Sequence, residues 1–193
     1  MATSFNIVDG IEKIYYAVLD EKNEQYGEVK LFSDMVVEFG MSPTQNSTSV
    51  YGSNREITSI LGNLTGEVTL TVQSLDEEVQ AEVMGKVKAE GGGYLDKGLN
   101  KPYVALMVEK SLDGGEYEYL TLYKGKFDLA EEKAKTKEDQ AEAQAQSYTA
   151  RFIQLKDKTF KHAVRTTSME EDEKTAFMEK WGKQVIKPTV AQE

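Results

Sequence analysis

The sequence predicts a mainly β protein with α additions: two-faced strands, one amphipathic helix and a C-terminal helix. Three stretches carry that prediction. Tyr103–Lys110 and Tyr117–Lys124 alternate in side-chain character on either side of Asp113-Gly114-Gly115. Period-two alternation marks a strand with two different faces, and Asp-Gly-Gly supplies the positive φ angles of a tight hairpin turn. Gly66–Gln73 sets Val68, Leu70 and Val72 against Glu67, Thr69, Thr71 and Gln73, the pattern of a strand with one face on a core and the other towards water or a partner. Directly after it, Leu75, Val79, Val83 and Val87 recur every fourth residue, which is the stripe of an amphipathic helix.

In chain order, Lys13–Leu19 reads as the first strand, dense in β-branched and aromatic residues. Ile14, Tyr16 and Val18 share one face and Tyr15, Ala17 and Leu19 the other, so this strand is expected to be covered on both sides. Asp20–Gly27 is a polar connection, and a second strand region spans Val29–Phe39 with an interruption near Ser33-Asp34. Met41–Asn54, with Ser42-Pro-Thr-Gln-Asn-Ser-Thr-Ser49 at its centre, offers little to a core and reads as a long exposed loop. Ser74-Leu-Asp-Glu77 has capping-box spacing for the first helix, whose acidic first turn suits the helix dipole. Asp128–Gln146 is helical by propensity. Its Ala141, Ala143 and Ala145 nevertheless alternate into the strand-like Ser147–Leu155, so an extended hairpin is favoured there, with an exposed helix as the competitor. Ser168-Met-Glu-Glu171 again has capping-box spacing; Phe177 and Trp181 lie one helical turn apart, and Gly182 is placed to end that helix. The division expected is residues 1–157 as the β domain and 158–193 as a C-terminal extension.

Composition narrows the function. A formal charge of −10 opposes tight, phosphate-neutralising binding of nucleic acid, which needs clustered Lys and Arg. The absence of cysteine removes disulfide and thiol chemistry. No stretch is long and apolar enough to span a membrane, and the N-terminus lacks the features of a signal peptide. Gly91-Gly-Gly93 is followed by no Lys-Ser or Lys-Thr pair at P-loop spacing, so it reads as a loop and not a phosphate cradle.

No catalytic, cofactor-binding or metal-ligating constellation emerges. His162 is the only histidine; without a second histidine or any cysteine it reads as structural. Glu170, Glu171, Asp172 and Glu173 are a solvated helix start, and Glu131, Glu132, Glu138, Asp139 and Glu142 a charged surface. Tyr117, Tyr119 and Tyr123 share one strand face and are assigned to core or subunit packing.

A set of short motifs in fixed order resembles a known family, the major tail proteins or tail tube subunits of long non-contractile-tailed phages of Gram-positive bacteria. They are Gly10–Leu19, Tyr51-Gly-Ser-Asn-Arg55, Gly66-Glu-Val-Thr-Leu70, Leu75-Asp-Glu-Glu-Val79 with Met84-Gly85, Lys101-Pro-Tyr-Val-Ala-Leu106, Leu122-Tyr-Lys-Gly-Lys-Phe127, Lys135-Thr-Lys137 and Gln146-Ser-Tyr-Thr-Ala150. The similarity runs over roughly residues 10 to 155 and departs from the pattern at Gly52-Ser53, where an acidic residue is expected.

The resemblance implies a structural virion protein without catalysis or cofactor, assembled in the host cytoplasm. It implies an antiparallel β-sandwich with one flanking amphipathic helix, a barrel-forming tail tube fold to which the sequence adds the C-terminal helix. Rings, usually of six subunits, whose strands close a large barrel would stack into the tube through which DNA is ejected. It implies self-contacts within and between rings, and contacts with a tape-measure protein, a tail terminator and a distal tail protein. DNA would pass without specific binding, and no membrane is involved. On that reading Glu67, Thr69, Thr71 and Gln73 are candidates to face the lumen. The stretch containing Pro43, Thr44, Gln45, Asn46, Tyr51, Asn54 and Arg55 is the candidate ring-stacking loop, ordered by the neighbouring ring. A β-sandwich carbohydrate-binding or adhesion module is the alternative, with the missing signal peptide against it; an eight-stranded ligand-carrying barrel is a third reading.

Overall fold

A computed structural model of the chain describes residues 7–98, 101–128 and 145–188. The strands are β1 Val8–Asp20, β2 Gln25–Tyr26, β3 Lys30–Ser33, β4 Val36–Gly52, β5 Arg55–Val72, β6 Val87–Lys88, β7 Tyr94–Leu95, β8 Tyr103–Leu112, β9 Glu116–Phe127, β10 Gln146–Ile153 and β11 Lys161–Arg165. Helix α1 is Glu77–Met84 and helix α2 Glu171–Lys180. One antiparallel sheet of nine strands runs β2-β1-β8-β9-β10-β5-β4, with β3 added to β1 and β11 to β9; β6 and β7 pair separately. Helix content is small beside strand content, as the alternation in the sequence requires.

The hairpin of β8 and β9 occupies the middle of this sheet. Leu112 faces Glu116 across the turn, and Gly114 and Gly115 both sit at φ 81°, a conformation open to glycine at little cost. One face of the sheet closes over a core of Ile14, Tyr16, Leu70, Leu106, Leu122 and Phe152, sealed by Val83 and Met84 of α1. The opposite face of β1, β8 and β9 is covered by Phe177 and Trp181, which pack over Ala17, Met107 and Tyr119. Three central strands are therefore buried on both sides, and Val104–Val108 are all at 0% exposure. That double cover explains the apolar run in β8 and matches the two apolar faces of Lys13–Leu19. Tyr119 and Tyr123 are core residues, with Tyr117 packed beside them.

Helix α1 forms where its periodicity places it, but its cap differs. The Asp76 side chain, not Ser74, accepts from the Glu78 and Val79 amides at 2.8 and 3.4 Å. Ser74 instead uses its carbonyl to accept from the Ser33 hydroxyl at 3.3 Å. Gly85 at φ 68° ends the helix one turn early, so Val87 belongs to β6 and not to the helical stripe. The Tyr16 hydroxyl donates to Glu82, and Lys30 meets the same carboxylate at 2.9 Å, tying α1 to β1 and β3.

The C-terminal residues diverge from their expected cap too. Ser168 closes a 3-10 turn over Thr166–Ser168 and donates its hydroxyl to the Arg165 carbonyl at 2.7 Å, while Glu170 begins α2 without a side-chain bond. Phe177 and Trp181 are buried as their spacing requires, and Gly182 at φ 73° turns the chain away. Strand β11, unpredicted, pairs Lys161–Arg165 with Leu122–Glu118 of β9. The extended hairpin expected over Asp128–Gln146 falls almost wholly on residues 129–144, outside the described residues.

Trp181 donates its indole N–H to Glu109 at 3.2 Å, and burial holds the Glu109 carboxyl above its ordinary range. A carboxylate with a raised folded pKa costs stability as pH climbs from the unfolded group's pKa to the folded one, above which the cost is complete, because the folded state resists losing the proton. Glu109→Gln keeps an acceptor for Trp181 and removes the buried charge. The variant is expected to melt higher than wild type at pH 7, by no more than about 1 kcal/mol, with the gain shrinking below the raised Glu109 pKa and vanishing below that of an ordinary, unfolded-chain carboxylate. A melting-temperature series across pH checks this; a gain independent of pH would contradict it.

Candidate assembly surfaces

The stretch expected as a loop is a strand. Residues 41–54 belong to β4 and to a two-residue turn, and β4 pairs with β5 from Val36↔Val72 to Gly52↔Arg55. Ser53 and Asn54 have φ of 50° and 60°, the double positive φ of a type I′ hairpin turn. The ladder is made by backbone groups, so Ser, Thr and Asn side chains can sit on it without a core beneath. Pro43 is admissible because β4 is an edge strand with nothing requiring its missing N–H on the open side.

Beyond Leu64 the hairpin is alone. The pairing of β5 with β10 ends at Thr65↔Ile153 and Leu64 still packs on the core, leaving residues 55–63 of β5 and their β4 partners as a two-stranded arm, about 30 Å long at the rise of a strand. Polar contacts within the arm are few: Gln45 Nε2 donates to the Gly62 carbonyl at 3.0 Å, and Ser49 donates to Glu56 at 2.8 Å. Register shifts between Gln45 and Ser47 and between Val50 and Tyr51 bend and twist it. Pro43, Thr44, Gln45 and Asn46 lie at its root, Tyr51 near its end, Asn54 in its turn and Arg55 just after the turn. The apolar residues of β5 in the arm, Ile57, Ile60 and Leu61, are exposed together with Val50 and Tyr51 of β4. Sequence reasoning passed over the three on β5; the one available signal was apolar side chains in Glu56-Ile-Thr-Ser-Ile-Leu61 without a matching core face.

The second surface is the polar side of β5. Glu67, Thr69 and Thr71 alternate with the buried Val68, Leu70 and Val72, as predicted, and Gln73 follows the strand with its amide donating to the Met35 carbonyl at 2.9 Å. Register places Arg151, Thr149 and Ser147 of β10 opposite Glu67, Thr69 and Thr71, and Ser42, Gly40 and Glu38 of β4 on their other side. The Thr71 and Ser147 hydroxyls are 3.1 Å apart. The face is rich in hydroxyls, and the ladder partner of Glu67 is Arg151, a residue of opposite charge that the strand pattern alone did not connect to it.

His162 is half-buried in β11 opposite Thr121, and burial lowers its pKa. Among the described residues no group of three or more His, Cys, Asp or Glu side chains could hold a metal ion, and no helix is long and apolar enough to cross a membrane.

A nine-stranded antiparallel sheet with an unsupported arm and a polar, uncovered strand face has the anatomy of a structural building block, whose chemistry lies in contacts. No curated protein matches the sequence. The model of the phage tail tube protein family matches residues 43–187, and the chain belongs to that family. It is a structural component of the phage virion tail.

Proposed function

We propose that the protein assembles into rings, six subunits to a ring, which stack into the tail tube and form the conduit for DNA ejection. The observation that carries this reading is the arm. A two-stranded hairpin is at best marginally stable by itself in water, and this one extends into solvent with Tyr51, Ile57, Ile60 and Leu61 uncovered. It is built to be covered by another molecule, and in a tube the adjacent ring supplies the cover. Pro43, Thr44, Gln45, Asn46, Tyr51, Asn54 and Arg55 are then stacking residues.

The side of β5 bearing Glu67, Thr69 and Thr71, followed by Gln73, faces the lumen. Duplex DNA carries about one negative charge per 1.7 Å of axis, and a strongly basic wall would hold it by counterion release. Hydroxyls with Glu67 beside Arg151 give a wall that neither grips DNA nor repels it far, since repulsion reaches only about 8 Å at physiological salt. The tape-measure protein, tail terminator and distal tail protein are the partners at the lumen and the two tube ends.

Electron microscopy of the purified protein at increasing concentration tests this. Rings and tubes with sixfold rings, and a reconstruction placing Glu67 on the lumen, are the expected result. Monomers at every concentration would overturn the assembly reading, and tubes with Glu67 on the outer wall would overturn the lumen assignment.

A further inference from the structure

The exposed apolar side chains of the β4–β5 hairpin fall into two groups at its opposite ends. One lies along the arm, with Tyr51 and Ile57 beside the turn and Ile60 and Leu61 further down, each between 62% and 70% exposed. At the other end, beside the Val36↔Val72 pair, are Met35 at 56% and Val37 at 52%, with Leu31 of β3 at 43%. From Val37 it is about 33 Å of strand to Ser47, the partner of Leu61, and about 46 Å to Tyr51 at the rise of a strand, so the groups cannot cover each other within one chain. Charged groups accompany both. Arg55, at the turn end, is exposed and has no ion pair among the described residues, its neighbour Glu56 being held by Ser49, while Asp34 and Glu38 are exposed on either side of Met35 and Val37.

We propose that the turn end of this hairpin docks on the Leu31, Met35 and Val37 surface of a second copy, with Arg55 set against that copy's Asp34 and Glu38. The proposal rests on the ring-stacking reading and names the acceptor that reading requires. A donor at one end of the molecule and its acceptor at the other make a heterologous, head-to-tail contact. Such contacts propagate without closing when no rotation returns them to the start, which is the symmetry of one ring stacked on the next. Pairing Arg55 with acidic neighbours also brings opposite charges together at a contact between subunits that each carry −10, where like charges would oppose association.

The chain has no cysteine, so introduced thiols report contact without background. Full-length Ile57→Cys and Val37→Cys proteins are mixed, polymerised and oxidised, then run on a non-reducing gel. The expected result is a linked dimer from the mixture but from neither protein alone, and a ladder of higher multimers from a chain carrying both substitutions. Tubes that form without either product overturn the acceptor assignment and leave the stacking role of the arm standing; that role falls separately if tubes form without the arm. Should a cysteine variant fail to polymerise, charge exchange gives the answer. Arg55→Glu is expected to lose tubes, and Asp34→Lys with Glu38→Lys in the same chain to restore them. Failure of the exchange to restore tubes also overturns the assignment.

Discussion

Excising residues 46–63 and closing the hairpin between Gln45 and Leu64 with an Asn-Gly turn is expected to leave a folded subunit that extends no tubes. Gln45 and Leu64 are Cα partners, so a two-residue turn of the favoured Asn-Gly type can join them without strain. The cut removes Tyr51, Ile57, Ile60 and Leu61, all exposed. It spares Leu64, which packs against the core and whose amide donates to Gln154 at 3.0 Å. No excised residue belongs to a buried cluster, so the melting temperature should stay near that of wild type while assembly is lost entirely. Circular dichroism and negative-stain microscopy of the same sample decide the matter. Tubes of normal length from the excised protein would remove the stacking role of the arm.

The largest stability effect is expected at Gly125. A Cβ there would lie 2.5 Å from Cε1 and Cζ of Phe152 and 2.6 Å from its Cδ1. Phe152 is fully buried and Cα-paired with Gly125 across the β9–β10 ladder; a ring so enclosed has no vacant rotamer to move into. Gly125→Ala should cost about 3 kcal/mol, the upper part of the usual range for overpacking, out of the 5–15 kcal/mol that a domain of ordinary stability possesses. Gly52 provides the control. Its added Cβ would meet Ile57 Cδ1 at 2.3 Å, a closer approach, yet Ile57 is 64% exposed and its chain end can swing aside. Gly52→Ala should therefore change stability by no more than about 0.5 kcal/mol. Comparable losses from the two substitutions in urea titrations would refute the argument that burial of the neighbour, and not the distance, sets the cost.

What the sequence disclosed follows from where each segment's side chains end up. The β8–β9 hairpin was legible because its turn needs glycine and its strands carry distinct faces. The inner half of β5 was legible for the same reason, with Val68, Leu70 and Val72 inside and Glu67, Thr69 and Thr71 outside. The arm was not. Both its faces meet solvent in the free subunit, so no core imposes alternation on Ser42–Ser49, and its Ser-Asn turn lacks the glycine that usually marks a hairpin. Strand β11 was missed because it is short and lies at an edge, with Lys161, Ala163 and Arg165 exposed and only His162 and Val164 partly covered. Helix α1 was placed correctly and its cap was not, since Ser74 and Asp76 both suit the role and the Ser33 hydroxyl bond to Ser74 is invisible in one dimension. Of the candidate surfaces, the polar row on β5 could be read locally. Its neighbours Ser147, Thr149 and Arg151 depend on a pairing across more than seventy residues.

Strand β5 runs unbroken from Arg55 at the tip to Val72 against the core, and this continuity has a mechanical meaning. A pull on the tip is directed along the strand, across ladder bonds that stand perpendicular to it. The eight registered pairs from Thr65↔Ile153 to Val72↔Gln146 share that load in shear, where a peeling force would break them one after another. The arm is thus a tie bar anchored through the sheet, and in the proposed tube, tension between neighbouring rings would be carried into the sheet without passing through a flexible joint.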